Sequence, residues 1–162
     1  EPPLKALADD APCPAVGHTR TLSAAAAALV NGTAAHGEDF DDTFEGGPVH
    51  AGAVIVPAVL AVCERHNPEG ASALLGIAVG TEVMCRLSTV VPKAAHKAGF
   101  HPTAIFGVMA AAAGVSAAFG LPGQPSLDAL GIAATFPPAT LPSLPAAHWP
   151  QLSPPALAGA PG

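Results

Sequence analysis

Five of the twelve acidic residues fall in one short run, Glu38-Asp39-Phe40-Asp41-Asp42-Thr43-Phe44-Glu45. Carboxylates this crowded repel one another and raise each other's pKa unless something compensates, so the run needs a physical reason. A solvated acidic turn carrying helix-capping aspartates is one. An Asp-x-Asp-x-Thr phosphotransferase nucleophile with Mg²⁺ is a second, but it requires an apolar strand before it and an acidic pair after it. Here Ala34-Ala35-His36-Gly37 closes an Ala-rich run, and after Glu82 only Asp128 remains. A third, an Mg²⁺–diphosphate site on a helix, needs a second acidic cluster on a facing helix, and the sequence holds none. A metal-dependent phosphate or diphosphate enzyme of either kind would bind Mg²⁺ at Asp39, Asp41 and Asp42.

Two histidines carry more information. His50 follows Gly46-Gly47-Pro48-Val49, and His101 follows Gly99-Phe100 and precedes Pro102. Both places read as helix starts, where free N–H groups and the helix dipole favour anions. Two such sites together suit a polycarboxylate. The same dipole favours neutral imidazole, which can act as a base or donate a hydrogen bond. A histidine at a helix start can also be no more than a cap.

The elements that must position these residues are helices. Thr21 to His36 is mostly Ala, Leu and Val, with Ser23 placed as N-cap. A second helix runs from about His50 to His66 and is stopped by Asn67-Pro68. A third spans about Glu69 to Leu87, with Leu74, Leu75, Ala78, Val79, Val83 and Leu87 as its expected buried face. Pro102 opens a fourth, which reaches Phe119 before Gly120. A short fifth covers Ser126 to Ala134. No segment alternates with period two, so the class is all-α, a helical bundle-like core of closely packed small side chains. Residues 1–20 read as a loosely ordered lead-in and 21–134 as the helical domain. Residues 135–162 form a Pro-rich, uncharged, irregular tail, since no charged residue follows Asp128 and recurring prolines exclude a helical core.

Half of the 162 residues are apolar and 11% are charged, with a net charge of −6, which excludes the composition of intrinsic disorder. The six basic residues, Lys5, Arg20, Arg65, Arg86, Lys93 and Lys97, are scattered and make no nucleic-acid footprint. Apolar runs are interrupted by Gly, Pro, His or charge short of the roughly 18 residues a bilayer span needs, and no secretory signal opens the chain. The expectation is a soluble, cytoplasmic protein with no nucleic-acid or membrane partner. Cys13, Cys63 and Cys85 give neither an even disulfide set nor a metal-binding spacing and read as buried thiols in a reducing compartment.

The motif Asn31-Gly32-Thr33-Ala34-Ala35-His36, then Asp39-Phe40-Asp41-Asp42-Thr43, then His50 and Ala53 to Pro57, resembles the signature of the MmgE/PrpD family. Gly99-Phe100-His101-Pro102-Thr103 and the Ala/Gly-rich helix after it resemble that family's second signature. The likeness runs from about Leu22 to Ala134. The family includes 2-methylcitrate dehydratase, cis-aconitate decarboxylase and iminodisuccinate epimerase, which act on small polycarboxylates by proton transfer beside a carboxylate, without metal or organic cofactor.

The resemblance therefore implies part of the family's N-terminal helical domain, a homodimer, and a site formed by Asp39, Thr43, His50 and His101. In that site His101 would be acid/base and His50 a second proton-transfer or carboxylate-binding group. Thr43 would be a hydroxyl donor, and Asp39 would orient a histidine. The segment between Thr43 and His50 is a residue longer than in several members. Later catalytic residues and a lid domain of the family have no counterpart, so the chain reads as truncated. The abrupt change after Ala134 predicts a shifted reading frame or truncated open reading frame. The competing expectation is a non-catalytic remnant or dimerisation module of the same fold.

Overall fold

The computed structural model describes residues 12–91 and 93–136. The expected tail from residue 137 and the first eleven residues of the lead-in lie outside them. Among the described residues, six helices follow a hairpin of two two-residue strands: β1 (Cys13–Pro14), β2 (Thr21–Leu22), α1 (Ala24–His36), α2 (Ala51–His66), α3 (Gly70–Val90), α4 (Ala94–Lys97), α5 (Pro102–Ala118) and α6 (Gly123–Ala133). The all-α class holds, and the helix ends follow local chemistry. Ser23 Oγ accepts from the Ala26 N–H at α1. Asn67 closes α2 in the left-handed region, its N–H donating to Cys63 O. Pro102 occupies the first turn of α5, and Gly120 sits at φ 58° just beyond its end.

Two elements depart from the sequence reading. Thr21 and Leu22, expected in the first helix, pair as a strand with Cys13 and Pro14, because Leu22 is fully buried against the Ala-rich face of α1. Asn31 ties this hairpin down, accepting from Val16 N–H and donating to Pro14 O. The short α4 is the second, entered through Lys93 at φ 66°.

Helix α2 is the hub. Its Ala61 and α1 share one apolar cluster with the hairpin, where Cys13 donates to Ala61 O. Val54, Ile55, Ala58 and Val59 of α2 join Met84 of α3 and Phe106, Ala110 and Ala118 of α5 in the other. The helices α3 and α5 cross at glycines: a Cβ on Gly76 would meet Gly114 O at 2.7 Å, and one on Gly114 would meet Gly76 O at 2.7 Å. Removing side chains at the crossing lets one backbone rest on the other.

That crossing corrects the expected face of α3. Its buried residues are Gly76, Gly80, Met84 and Ser88, whereas Leu74, Leu75 and Ala78 are exposed and Val79, Val83 and Leu87 are half-buried. Hydropathy favours the leucines; close approach favours the glycines. Helix α3 is also long and apolar enough to meet the length and composition of a bilayer span, against the expectation that no run reaches that length. It carries an ion pair between Glu82 and Arg86 on its outer side and packs its glycine face on α5. The thiols of Cys13 and Cys63 are buried, as expected, and burial pushes both up; Cys85 is only partly covered.

Candidate functional site

The Ala-rich run of α1 ends at His36, which is 5% exposed. Beyond it the chain reverses: Asp39 takes φ 57°, a left-handed conformation that aspartate tolerates better than most residues, and its N–H donates to His36 O. The reversal lays Asp41 back along the end of α1, with its Oδ2 2.9 Å from His36 Nδ1 in hydrogen-bond geometry. Asp42 reaches the next element, accepting from the Gly52 N–H at 2.8 Å in the first turn of α2. A Cβ at position 52 would strike that carboxylate. The acidic run thus has its compensation: one carboxylate serves histidines, and another satisfies a free helix N–H.

His50 and His101 stand immediately before α2 and α5, as expected. The two helix starts are joined by the His50 N–H donating to Thr103 Oγ1, and Thr103 is fully buried. His50 Nδ1 comes to 3.2 Å from Asp41 Oδ1, although the angles fall short of a hydrogen bond. The His36 ring lies 5.0 Å from that of His50 and, edge-on, 6.1 Å from that of His101. Two imidazoles, from the end of α1 and the start of α2, therefore share one carboxylate, and a third, His101, lies edge-on to His36.

The environments of these groups differ. Asp41 is 7% exposed at its side chain and His50 20%. The His101 Nδ1 is buried with no partner among the described residues, and its pKa is lowered to about 4, first by burial, then by the neighbouring His36, His50 and His96, with Asp39 pulling the other way. His101 is accordingly neutral at physiological pH.

Of the four residues expected in a site, Asp39, His50 and His101 come together. Thr43 is exposed and makes no side-chain hydrogen bond among the described residues; the hydroxyl that touches this cluster belongs to Thr103. The sequence reading missed His36 and Asp41 as members. The available signal was the spacing: a histidine at the last position of a helix, followed five residues later by a carboxylate across a turn. At the helix N-termini, Asp42 already holds the Gly52 N–H and Pro102 has none to offer.

His36, Asp39, Asp41 and His50 each offer one donor atom, all within 4.8 Å of one another, a nitrogen and oxygen set of the kind divalent transition metals accept. Tetrahedral zinc with bonds of about 2.0–2.1 Å holds its ligands only about 3.3 Å apart. The 2.9 Å contact between His36 and Asp41 is shorter than that spacing and would have to open, while the widest pairs closed in. The arrangement fits hydrogen bonding better than ligation.

The family model for the MmgE/PrpD N-terminal domain matches residues 3–159. That span takes in both the lead-in and the Pro-rich tail, beyond the Leu22 to Ala134 likeness visible in the motifs. A cis-aconitate decarboxylase-like protein of Aspergillus oryzae is 31% identical over 146 residues, covering 83% of this chain and 30% of that protein. The cis-aconitate decarboxylase of Homo sapiens is 38% identical over 112 residues, 66% of this chain and 23% of that enzyme. The Aspergillus terreus enzyme of the same name is 29% identical over 129 residues, 76% of this chain and 26% of its own length. The chain thus spans less than a third of each of these relatives.

Proposed function

The chain belongs to the MmgE/PrpD family, through its N-terminal domain, and on that footing we propose that its histidine cluster binds a small polycarboxylate and moves a proton on or off a carbon beside one of the carboxylates. The observation that carries this reading is the convergence of His36, His50 and His101 at the joined starts of α2 and α5. Imidazoles are the groups that both bind carboxylates and transfer protons near neutral pH.

His101 is the acid/base in this reading. Kept neutral by burial, it has a lone pair available at the pH where the reaction runs, and a proton it accepts is readily given back. His50 holds a substrate carboxylate or transfers a second proton. Asp39, beside His36 and His50, orients a histidine. The relatives named for cis-aconitate decarboxylation support a lyase reaction; dehydration and epimerisation use the same proton transfer. No metal or organic cofactor enters this reading, and the three free thiols suit a reducing compartment such as the cytoplasm.

Titration calorimetry of the chain with cis-aconitate and with citrate tests the reading. Millimolar or tighter binding that weakens about tenfold, or 1.4 kcal/mol, in His50→Gln supports it. Equal heats in wild type and variant, or none from either with the protein folded, refute it.

A second reading is favoured by a specific observation. Leu74 and Leu75 of α3 and Leu127 and Ile132 of α6 are exposed, the kind of surface that is buried against a partner. In that reading the chain is an association module, with a second copy as its partner. Sedimentation equilibrium decides it: a dimer that Leu74→Lys and Leu75→Lys together dissociate supports the module, and a wild-type monomer excludes it.

A further inference from the structure

Asp41 touches two imidazoles at once. Its Oδ2 lies 2.9 Å from His36 Nδ1 and its Oδ1 3.2 Å from His50 Nδ1, in surroundings that leave its side chain 7% exposed. Water has little access, so the protons must be placed by the protein itself. A neutral imidazole carries hydrogen on one ring nitrogen and a lone pair on the other. Were the lone pair on Nδ1, it would face a carboxylate oxygen, lone pair against lone pair, in a poorly solvated place. With hydrogen on Nδ1, both contacts turn attractive. The unmatched pair of buried atoms, Asp41 Oδ1 and His50 Nδ1, then needs only a small ring rotation to become a hydrogen bond.

We propose that Asp41 is a positioning residue that accepts from Nδ1–H of both His36 and His50, fixing the two rings as the Nδ1–H tautomer and leaving each Nε2 as the proton-accepting nitrogen. When either Nε2 takes a proton, the ring becomes a cation beside a carboxylate already aligned to it, as an orienting aspartate does in other proton-transferring sites. No charge has to move through Asp41. Its second role is geometric: by gripping the end of α1 and the start of α2 together, it fixes the spacing of two imidazoles that their own helices do not set. His101, whose Nδ1 has no such partner, is left outside the pairing, so the three rings are not equivalent. The tautomer assignment stands by itself; its part in proton transfer rests on the function proposed above.

Asparagine at position 41 makes a sharp probe, because it offers one oxygen and one NH₂ where the carboxylate offers two oxygens. One ring can keep its Nδ1–H against the oxygen. The other must face an NH₂ donor and is driven to the Nε2–H tautomer. Long-range ¹H–¹⁵N correlation spectra of the ¹⁵N-histidine-labelled chain, recorded above pH 7.5, read both states directly. In wild type, His36 and His50 should both show a protonated Nδ1. In Asp41→Asn one of them should switch, and Asp41→Glu should restore the wild-type pattern at least in part. A wild-type spectrum with His36 or His50 as the Nε2–H tautomer overturns the assignment, whether or not any variant folds, and so does an Asp41→Asn spectrum with both rings unchanged.

Turnover of cis-aconitate supplies the second readout. Asp41→Asn should lower kcat by about 10- to 100-fold with KM within about twofold, since Asp41 aligns the bases and does not touch the substrate. An unchanged kcat overturns the positioning role while leaving the proposed function standing. Absence of turnover in wild type counts against that function, and the tautomer spectra still decide the assignment.

Discussion

The crossing of α3 and α5 and the histidine cluster are both crowded, but in opposite ways. At the crossing, crowding is achieved by removing atoms: Gly76, Gly80 and Gly114 let backbone meet backbone and side-chain methyl groups, with a would-be Cβ on Gly80 only 2.6 Å from Ile55 Cγ2. In the cluster, crowding brings polar groups together with too few partners, and Asp41 Oδ1, His50 Nδ1 and His101 Nδ1 remain unmatched among the described residues. The first arrangement has no slack and no chemistry. The second keeps unsatisfied hydrogen-bonding capacity, at a cost in stability. A fold can carry the second only because the first holds α2, α3 and α5 in place.

The widest separation between the two regions comes from Gly114→Val. Its new Cβ would meet the Gly76 carbonyl and the Gly80 Cα, and backbone cannot move aside as a flexible side chain can. The expected loss is about 3 kcal/mol, the upper part of the range for overpacking, seen as a melting temperature lower by roughly 10 °C. A loss below about 1 kcal/mol in a denaturant titration would mean the crossing has room after all. No change of that size is expected from His101→Gln, because the cluster contributes little to the core.

The pH dependence of stability probes the other region. His101 has its folded pKa lowered to about 4, below the roughly 6.5 of an unfolded histidine. Between those values the unfolded chain binds more protons than the folded one, so stability falls as pH falls. It is complete above about pH 6.5, declines from there, and has lost the His101 contribution once pH passes below about 4. The ceiling is about 3 kcal/mol, reduced by whatever water reaches the ring. His101→Gln should flatten the stability curve between pH 6.5 and 5, and the two curves should run parallel above pH 7. A variant curve parallel to wild type over that interval would assign the acid sensitivity to other groups.

How much of this was legible in the sequence follows the same division. Helix ends were readable wherever one residue has one local role: Ser23 as a cap, Pro102 at a first turn, Gly120 after a last one. His50 and His101 were readable for the same reason, since each abuts a helix start. Asp41 and His36 were not, because their roles depend on a reversal at Asp39 that brings a helix end and a loop together. Leu22 was misplaced because a strand two residues long has no period to detect. Thr103 was quoted within a motif, but that its hydroxyl holds the start of α2 depends on two helices meeting.

The buried face of α3 was the clearest misreading, and it yields the smallest expected effect. A reading based on hydropathy selects Leu74 and Leu75, yet they are 69% and 54% exposed, while Gly76 and Gly80 are inside. The burial of a glycine gains almost nothing from its own surface. What it gains is the contact it permits between everything around it: Val59 and Ala118 approach Gly76 only because nothing projects from it. Leu74→Gln should therefore change the stability of the monomer by no more than about 0.5 kcal/mol, as surface substitutions do, where truncating a buried leucine costs 2–5 kcal/mol. Measured by urea unfolding at low protein concentration, a cost above 2 kcal/mol would restore the leucine face to the core and dissolve the contrast between the two regions. A small cost at low concentration that grows with protein concentration would place Leu74 in an interface between copies, since association stabilises the folded form by mass action.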